Sequence, residues 1–180
     1  MTAALTYRLG RRVAGEWAGR VAGCLVAISW TLIAFDAELL IPVLLLPLLL
    51  VSLDLAVAWI DSARTGTTQG GATARFVPSA LVVGAAFGLA AITRPNVLLF
   101  MPVLFLFAVA GTRKTGGERR LAGWRWGAGL WLTLGTLLPI VPVTVHNALE
   151  GDPSLIATQG GVNFWIGNNP ASDGAAAIVP

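Results

Sequence analysis

The sequence predicts an all-helical (all-α) integral membrane protein, on three observations. Of the 180 residues, 56% are hydrophobic and only 12% are charged, whereas about 25% of the residues of a soluble domain are charged. The apolar residues form long runs without the alternation of a β-strand, and in lipid such runs satisfy their backbone polar groups as helices. Each run approaches the ~20 residues that cross a bilayer; they cover residues 21–35, 39–60, 76–92, 97–111 and 127–145. We therefore expect a bundle of about five transmembrane helices.

The basic residues predict the orientation of this bundle. Eleven of the twelve lie before the first run, between the second and third runs, or between the fourth and fifth. The positive-inside rule places these alternate segments in the cytoplasm. We therefore expect a multi-pass protein of the plasma membrane with a cytoplasmic N-terminus and an extracytoplasmic C-terminal tail. This distribution also makes nucleic-acid binding a poorer explanation of the net charge of +3.

The chain divides into a partial transmembrane bundle, residues 1–145, and an extracytoplasmic loop segment, residues 146–180. Its single cysteine, Cys24, lies in the first apolar run, where we expect it to serve packing. One histidine and one buried cysteine do not make a metal-ligand set. The sequence therefore predicts neither a metal site nor a cofactor.

Three acidic residues have both a functional and a structural interpretation. Asp36 and Glu38, in the outer turn after the first run, could bind a metal, orient a sugar hydroxyl or act as a base. Alternatively, Asp36 caps the second helix and Glu38 complements the dipole of its first turn. Asp54 lies within the second run, about 9 Å from its cytoplasmic end at ~1.5 Å per residue. Because Asp54 can reach water or a cytoplasmic arginine there, we expect it to have a structural role.

Arg94 is the one basic residue predicted on the outer side. It lies in the turn TRPN, which joins two apolar runs through about four residues and so holds the side chain near the headgroup plane. A guanidinium at that depth could bind a lipid phosphate or diphosphate with two hydrogen bonds. The alternative is an arginine that extends to the interface beside a proline turn.

The tail has the polar composition that the rest of the chain lacks. His146, with Asn147, Glu150 and Asp152, follows the fifth run and could form a polar cluster or a helix-end hydrogen bond. Glycines, amides and an aromatic pair then predict either a sugar-binding loop or an irregular loop with interfacial aromatics. The candidate binding residues in this stretch of glycines, amides and aromatics are Gly160, Gly161, Asn163, Trp165, Asn168 and Asn169.

The order of four segments resembles a known family of membrane enzymes. These segments are TYRLGRRVAGEWAGRVAG, FDAELL, GLAAITRPNVLLFMPVL and LPIVPVTVHNALEGDPSLIATQGGVNFWIGNNPASDG. In this order they resemble the polytopic GT-C glycosyltransferases, closest to the protein mannosyltransferases and the bacterial aminoarabinose transferases. The resemblance implies an enzyme that moves a sugar from a polyprenyl-phosphate donor to an extracytoplasmic protein, lipid or glycan acceptor.

The resemblance also implies roles for single residues. Arg94 would lie near the donor phosphate, Asp36 and Glu38 would face the same outer cavity, and the run from Gly160 to Asn169 would form part of the loop over it. His146 stands where the family usually has an arginine. The aspartate that serves as catalytic base in the family lies in a loop before the position of Met1, so the catalytic residue is unknown and we expect a fragment of a longer enzyme.

Two other functions remain open from the residues. A transporter or flippase of a lipid-linked substrate would have helices broken near the membrane midplane, and Pro42, Pro47 and Asp54 in one run are compatible with that. The third interpretation is an inactive, truncated membrane piece that acts only as a scaffold.

Overall fold

The computed structural model describes residues 1–37, 41–65, 72–110, 122–151, 153–157 and 159–168, and these residues form helices with short connections and no strand. The helices are α1 (Thr2–Ala14), α2 (Glu16–Ala27), α3 (Trp30–Ala37), α4 (Pro42–Thr65), α5 (Ala72–Thr93), a 3₁₀ helix (Pro95–Leu99), α6 (Phe100–Ala110), α7 (Ala122–Leu149) and α8 (Gln159–Asn168). The all-helical prediction is confirmed for this part of the chain. The chain forms two compact units, residues 1–140 and 141–180, each described by itself below.

Two of these helices are long and apolar enough to cross a membrane, Pro42–Ser62 in α4 and Gly127–Leu149 in α7. Both keep large apolar side chains at the surface: Leu44 is 64% exposed and Leu138 is 63% exposed. Large exposed apolar side chains on such long apolar helices are unfavourable in water and suit contact with lipid. Membrane association thus has support from these two helices, while five crossings and their orientation stay predictions.

The basic residues before the first apolar run, together with the first part of that run, form a helical hairpin of α1 and α2. Gly15 joins α1 to α2 with a φ of 91°, which glycine adopts without the penalty of a Cβ atom. The helices approach closely because glycines face the contact: a Cβ atom on Gly19 would lie 2.7 Å from the backbone nitrogen of Arg11, and one on Gly23 would lie 3.0 Å from the Cβ of Tyr7. Small residues spaced by four allow this close approach of two helix backbones.

The first apolar run is not one helix, contrary to the prediction. α2 ends at Ala27, and α3 begins again at Trp30. The amide of Ile28 still donates to the carbonyl of Cys24, but the amide of Ser29 donates to Val26 at 3.3 Å, three residues back. This tighter last turn ends α2 and divides the run 21–35 into two short helices.

Helix α1 lies alongside α4 and runs in the same direction. Met1 and its neighbours line a cavity of about 200 Å³ together with Pro42 and Leu46, at the beginning of α4. Further along, Arg8 contacts Asp54. Met1 thus lies at the Pro42 end of α4, and the side of the membrane on which this end lies stays a prediction.

Helices α5 and α7 are in backbone contact within the first unit. Cβ atoms added to Gly84 and Gly88 on α5 would collide with the backbone of α7 at Leu132 and Thr136. The side chain of Leu132 is fully buried, and Thr136 donates from its hydroxyl to the carbonyl of Leu132 at 2.9 Å. Gly135 on α7 likewise faces the backbone of α5 at Leu81, so glycines on both helices form the contact.

The second unit consists of the last turns of α7, a short connection and α8. Gly151 ends the turn after α7 with a φ of 83°. The hydroxyl of Thr144 donates to the carbonyl of Leu155 at 2.6 Å, and this bond holds the connection against α7. The segment predicted as a loop is helical over Gln159–Asn168, so the loop prediction is wrong for these residues.

Candidate functional site

Arg94 lies at a rigid corner between α5 and the 3₁₀ helix. Its backbone is extended, with φ −149° and ψ 111°, because the following Pro95 disfavours the helical conformation for the residue before it. The amide of Arg94 donates to the carbonyl of Ala90 at 3.2 Å, and its own carbonyl accepts from the amide of Val97 at 3.1 Å. Val97 is buried. The backbone of the corner is thus anchored on both sides of Arg94.

The side chain of Arg94 differs from the other arginine side chains that the structure describes. Arg94 is exposed, and its side chain makes no hydrogen bond or ion pair with the described part of the chain. The other four each lie within 4.0 Å of a carboxylate oxygen; they are Arg8, Arg11, Arg12 and Arg20. The backbone of Arg94 is therefore anchored, while its guanidinium has hydrogen-bond donors that no described residue uses and that are available to an anion.

Asp54 is the buried acid of the first unit, and its side chain is 7% exposed. Nη2 of Arg8 lies 2.9 Å from Oδ2. Nη1 of Arg12 lies 3.3 Å from Oδ1 but donates its hydrogen bond to the backbone carbonyl of Asp54 at 2.9 Å. Oδ1 thus has charge compensation without a hydrogen bond among the described residues. Of the two partners that the sequence left open for Asp54, water or an arginine, the structure shows arginines.

Glu16 is the exposed counterpart of Asp54. It accepts from the hydroxyl of Tyr7 at 2.8 Å and from Nε of Arg20 at 3.2 Å, while Nε of Arg11 lies 4.0 Å away. The hydrogen bond from Tyr7, followed by the bond and charge of Arg20, holds the pKa of Glu16 below its ordinary value of 4.5. Glu16 therefore links α1 to α2 as a carboxylate.

The stability of the hairpin should fall in acid because of Glu16. A carboxyl whose pKa is lowered by folding stabilises the folded state above its unfolded value of 4.5, and this contribution is lost as the pH falls through the lowered pKa. We expect the apparent melting temperature of the chain in detergent to decrease over that range, and to decrease less in Glu16→Gln. Equal acid sensitivity of the two proteins would show that Glu16 has no such role.

The structural alternative predicted that Asp36 caps the helix of the second apolar run, α4, and this prediction is wrong. Asp36 lies in the last turn of α3, whereas α4 begins at Pro42. A carboxylate near a helix C-terminus is unfavourable to the helix dipole, so neither capping nor the dipole accounts for this residue. The side chain of Asp36 and the whole of Glu38 lie outside the described residues, and their functional interpretation stays a prediction.

Asn147, not His146, forms the helix-end hydrogen bonds of the tail. Nδ2 of Asn147 lies 3.3 Å from Oγ of Ser154 and 3.2 Å from the carbonyl oxygen of Ile156. His146 is exposed in the last turn of α7. Asn147 thus holds the connection that follows α7, which is a structural role, and His146 is accessible to solvent.

The candidate residues of α8 lie on a helix. Trp165 is 49% exposed, and Nδ2 of Asn168 donates to the carbonyl of Phe164 at 2.8 Å within the same helix. The side chains of the other helical candidates, Gly160, Gly161 and Asn163, are not described, and Asn169 lies outside the described residues. Because these residues and Arg94 belong to different units, the common outer cavity stays a prediction.

Sequence reasoning did not find the arginine pairing of the hairpin. Arg8 and Arg12 are four residues apart, a spacing that puts both on one face of α1, and Asp54 is an acid in an apolar helix that needs partners. These two signals together could have predicted the contact. The cavity beside Met1 and Pro42 has no comparable signal in the sequence.

Comparison with known proteins gave no match: no family model, no curated protein and no solved structure is significantly similar to the chain. In the described residues, no group of three or more histidine, cysteine, aspartate or glutamate side chains could hold a metal ion.

Proposed function

We propose that this chain is part of a membrane glycosyltransferase that transfers a sugar from a polyprenyl-phosphate donor to an extracytoplasmic protein, lipid or glycan. The observation that carries the proposal is Arg94, an exposed arginine without an acidic partner in the described residues, on an anchored corner between two apolar helices. Sugar transfer is proposed as the reaction because the TRPN turn and the tail resemble the GT-C family.

The chemistry of such a transfer explains why a cation is needed. As the bond between the sugar and the donor phosphate breaks, negative charge accumulates on the departing lipid phosphate. A positioned guanidinium stabilises that charge, and a carboxylate supplied by the complete enzyme deprotonates the acceptor hydroxyl. In this proposal Arg94 has the first role, on the extracytoplasmic side of a multi-pass protein of the plasma membrane.

The position of Arg94 suits a phosphate carried by a lipid. The 3₁₀ helix and α6 that follow it form an apolar stretch, and Leu99 and Phe100 in this stretch are exposed. An arginine next to exposed apolar residues can contact a phosphate at headgroup level while the lipid chain stays in hydrocarbon. Free phosphate in water would gain nothing from these apolar neighbours.

The test is the binding of a polyprenyl phosphate to the purified chain, in detergent with excess phosphatidylglycerol to occupy general anionic-lipid sites. Arg94→Ala should weaken binding about tenfold, since a hydrogen bond to a charged group contributes about 1.5 kcal/mol or more. Asn96→Ala is the matched control, because Asn96 is an exposed uncharged residue of the same turn. Native mass spectrometry can measure all three affinities.

Two outcomes would contradict the proposal. Equal binding by the natural chain and by Arg94→Ala would remove Arg94 from the site, and an absence of any polyprenyl-phosphate binding would favour the scaffold interpretation. Uptake of a lipid-linked substrate into proteoliposomes without sugar transfer would favour the transporter. The transporter interpretation expected a broken helix at Pro47, but α4 is one helix through this residue. A different helix break lies at Ile28 and Ser29, between α2 and α3, beside the cavity.

A further inference from the structure

The Gly15 end of the α1–α2 hairpin carries more positive than negative charge. Arg11 and Arg20 share the single carboxylate of Glu16. Arg8 and Arg12 share the single carboxylate of Asp54. Each acid can neutralise one guanidinium, so each group keeps about one positive charge in excess.

The excess charge is accessible to a ligand. The side chains of Arg8, Arg11 and Arg20 are 57%, 54% and 65% exposed. Asp54, in contrast, is buried and cannot bind a cation from outside. The acids therefore organise the arginines, and the surface that a partner meets is basic.

Two apolar side chains lie beside these arginines at the same end of the hairpin. Trp17, two residues after Gly15, is 77% exposed, and Val13, two residues before it, is 66% exposed. Tryptophan is enriched where a membrane meets water, because its ring is apolar and its N–H is polar. Arginines next to an exposed tryptophan are the pattern of surfaces that bind an anionic bilayer.

We propose that the Gly15 end of the hairpin binds the headgroups of anionic phospholipids, with the arginines on phosphate and Trp17 in the interface. We choose a phospholipid as the ligand because the surface combines basic side chains with exposed apolar side chains. A phospholipid offers a phosphate and an apolar boundary within a few ångströms of each other, and each surplus basic residue near an anionic leaflet adds about fivefold to the affinity. This binding is independent of sugar transfer and of Arg94.

The test compares phosphatidylglycerol with phosphatidylcholine on the purified chain, with native mass spectrometry to determine the affinity for each lipid. We expect tighter binding of phosphatidylglycerol by about tenfold or more, decreasing as salt is added. Arg20→Gln should weaken phosphatidylglycerol binding about fivefold, Glu16→Gln should strengthen it about fivefold, and Arg20→Lys should keep it.

Because Arg20→Gln and Glu16→Gln should change the affinity for phosphatidylglycerol in opposite directions, the pair distinguishes direct lipid binding from a loss of hairpin structure. Arg20→Gln and Glu16→Gln break the same ion pair, so a loss of hairpin structure would change lipid binding in the same direction in both variants. That result, or equal affinity for the two lipids, would overturn the proposal. Inorganic phosphate that displaced the lipid at equal concentration would also overturn it, because the site would then recognise a free anion.

Discussion

Replacing Arg8 and Arg12 together with alanine should destabilise the folded chain by about 3–5 kcal/mol. The loss of stability comes from the buried Asp54, because its side chain is 7% exposed whereas that of Arg8 is 57% exposed. Without the two guanidiniums, the carboxylate of Asp54 stays between α1 and α4 with no compensating charge among the described residues. The apparent melting temperature in detergent, and the denaturant midpoint, measure the loss.

A third substitution makes this prediction specific to charge. Asp54→Asn in the Arg8→Ala/Arg12→Ala background removes the uncompensated charge and should recover a large part of the lost stability. The control is Arg20→Ala, which removes an exposed ion pair and should cost at most about 1 kcal/mol. If the double variant melts like the natural chain, or if Asp54→Asn destabilises it further, the arginines do not compensate Asp54.

The Gly84→Ala substitution should have the second largest effect on stability. A Cβ atom on Gly84 would collide with the backbone carbonyl of Leu132 and lie 2.9 Å from the backbone nitrogen of Thr136. A helix backbone cannot move aside as a flexible side chain can, so α5 and α7 have to separate. Overpacking of this kind costs about 1–3 kcal/mol, and a lower melting temperature in detergent is the expected observation.

Gly127→Ala is the matched control on the partner helix. A Cβ atom on Gly127 has open space, with nothing within 4 Å. Because alanine favours a helix over glycine by about 0.8–1.0 kcal/mol, this variant should be as stable as the natural chain or slightly more stable. A loss of stability in Gly127→Ala equal to that in Gly84→Ala would mean that both effects come from the helix backbone and not from the contact.

Three contacts of the first unit are of the kind that holds helices together in lipid. The hydrophobic effect does not drive helices together in a bilayer, so close packing and polar contacts have to do so. Gly19 and Gly84 provide close packing, and Asp54 provides the polar contact between α1 and α4. Each contact joins a different pair of helices: Gly19 lies between α1 and α2, Gly84 between α5 and α7, and Asp54 between α1 and α4.

The sequence by itself determined the helical class and most of the long helices. The runs 39–60 and 127–145 correspond to α4, Pro42–Thr65, and α7, Ala122–Leu149. Apolar length is a local property that each segment carries alone, which is why it could be predicted. The need of Asp54 for water or an arginine was predictable for a similar reason, since a charge in an apolar helix needs a polar partner whatever the fold is.

Only the tertiary structure decided which elements meet. The choice of Arg8 and Arg12 as partners of Asp54, and the position of Met1 beside Pro42, follow from the docking of α1 along α4. The lack of an acidic partner for Arg94 among the described residues likewise depends on which acids lie within reach in the folded chain. Contacts between residues forty positions apart depend on close packing of glycines and on the direction of each helix, and the hydrophobic pattern of a single segment contains neither.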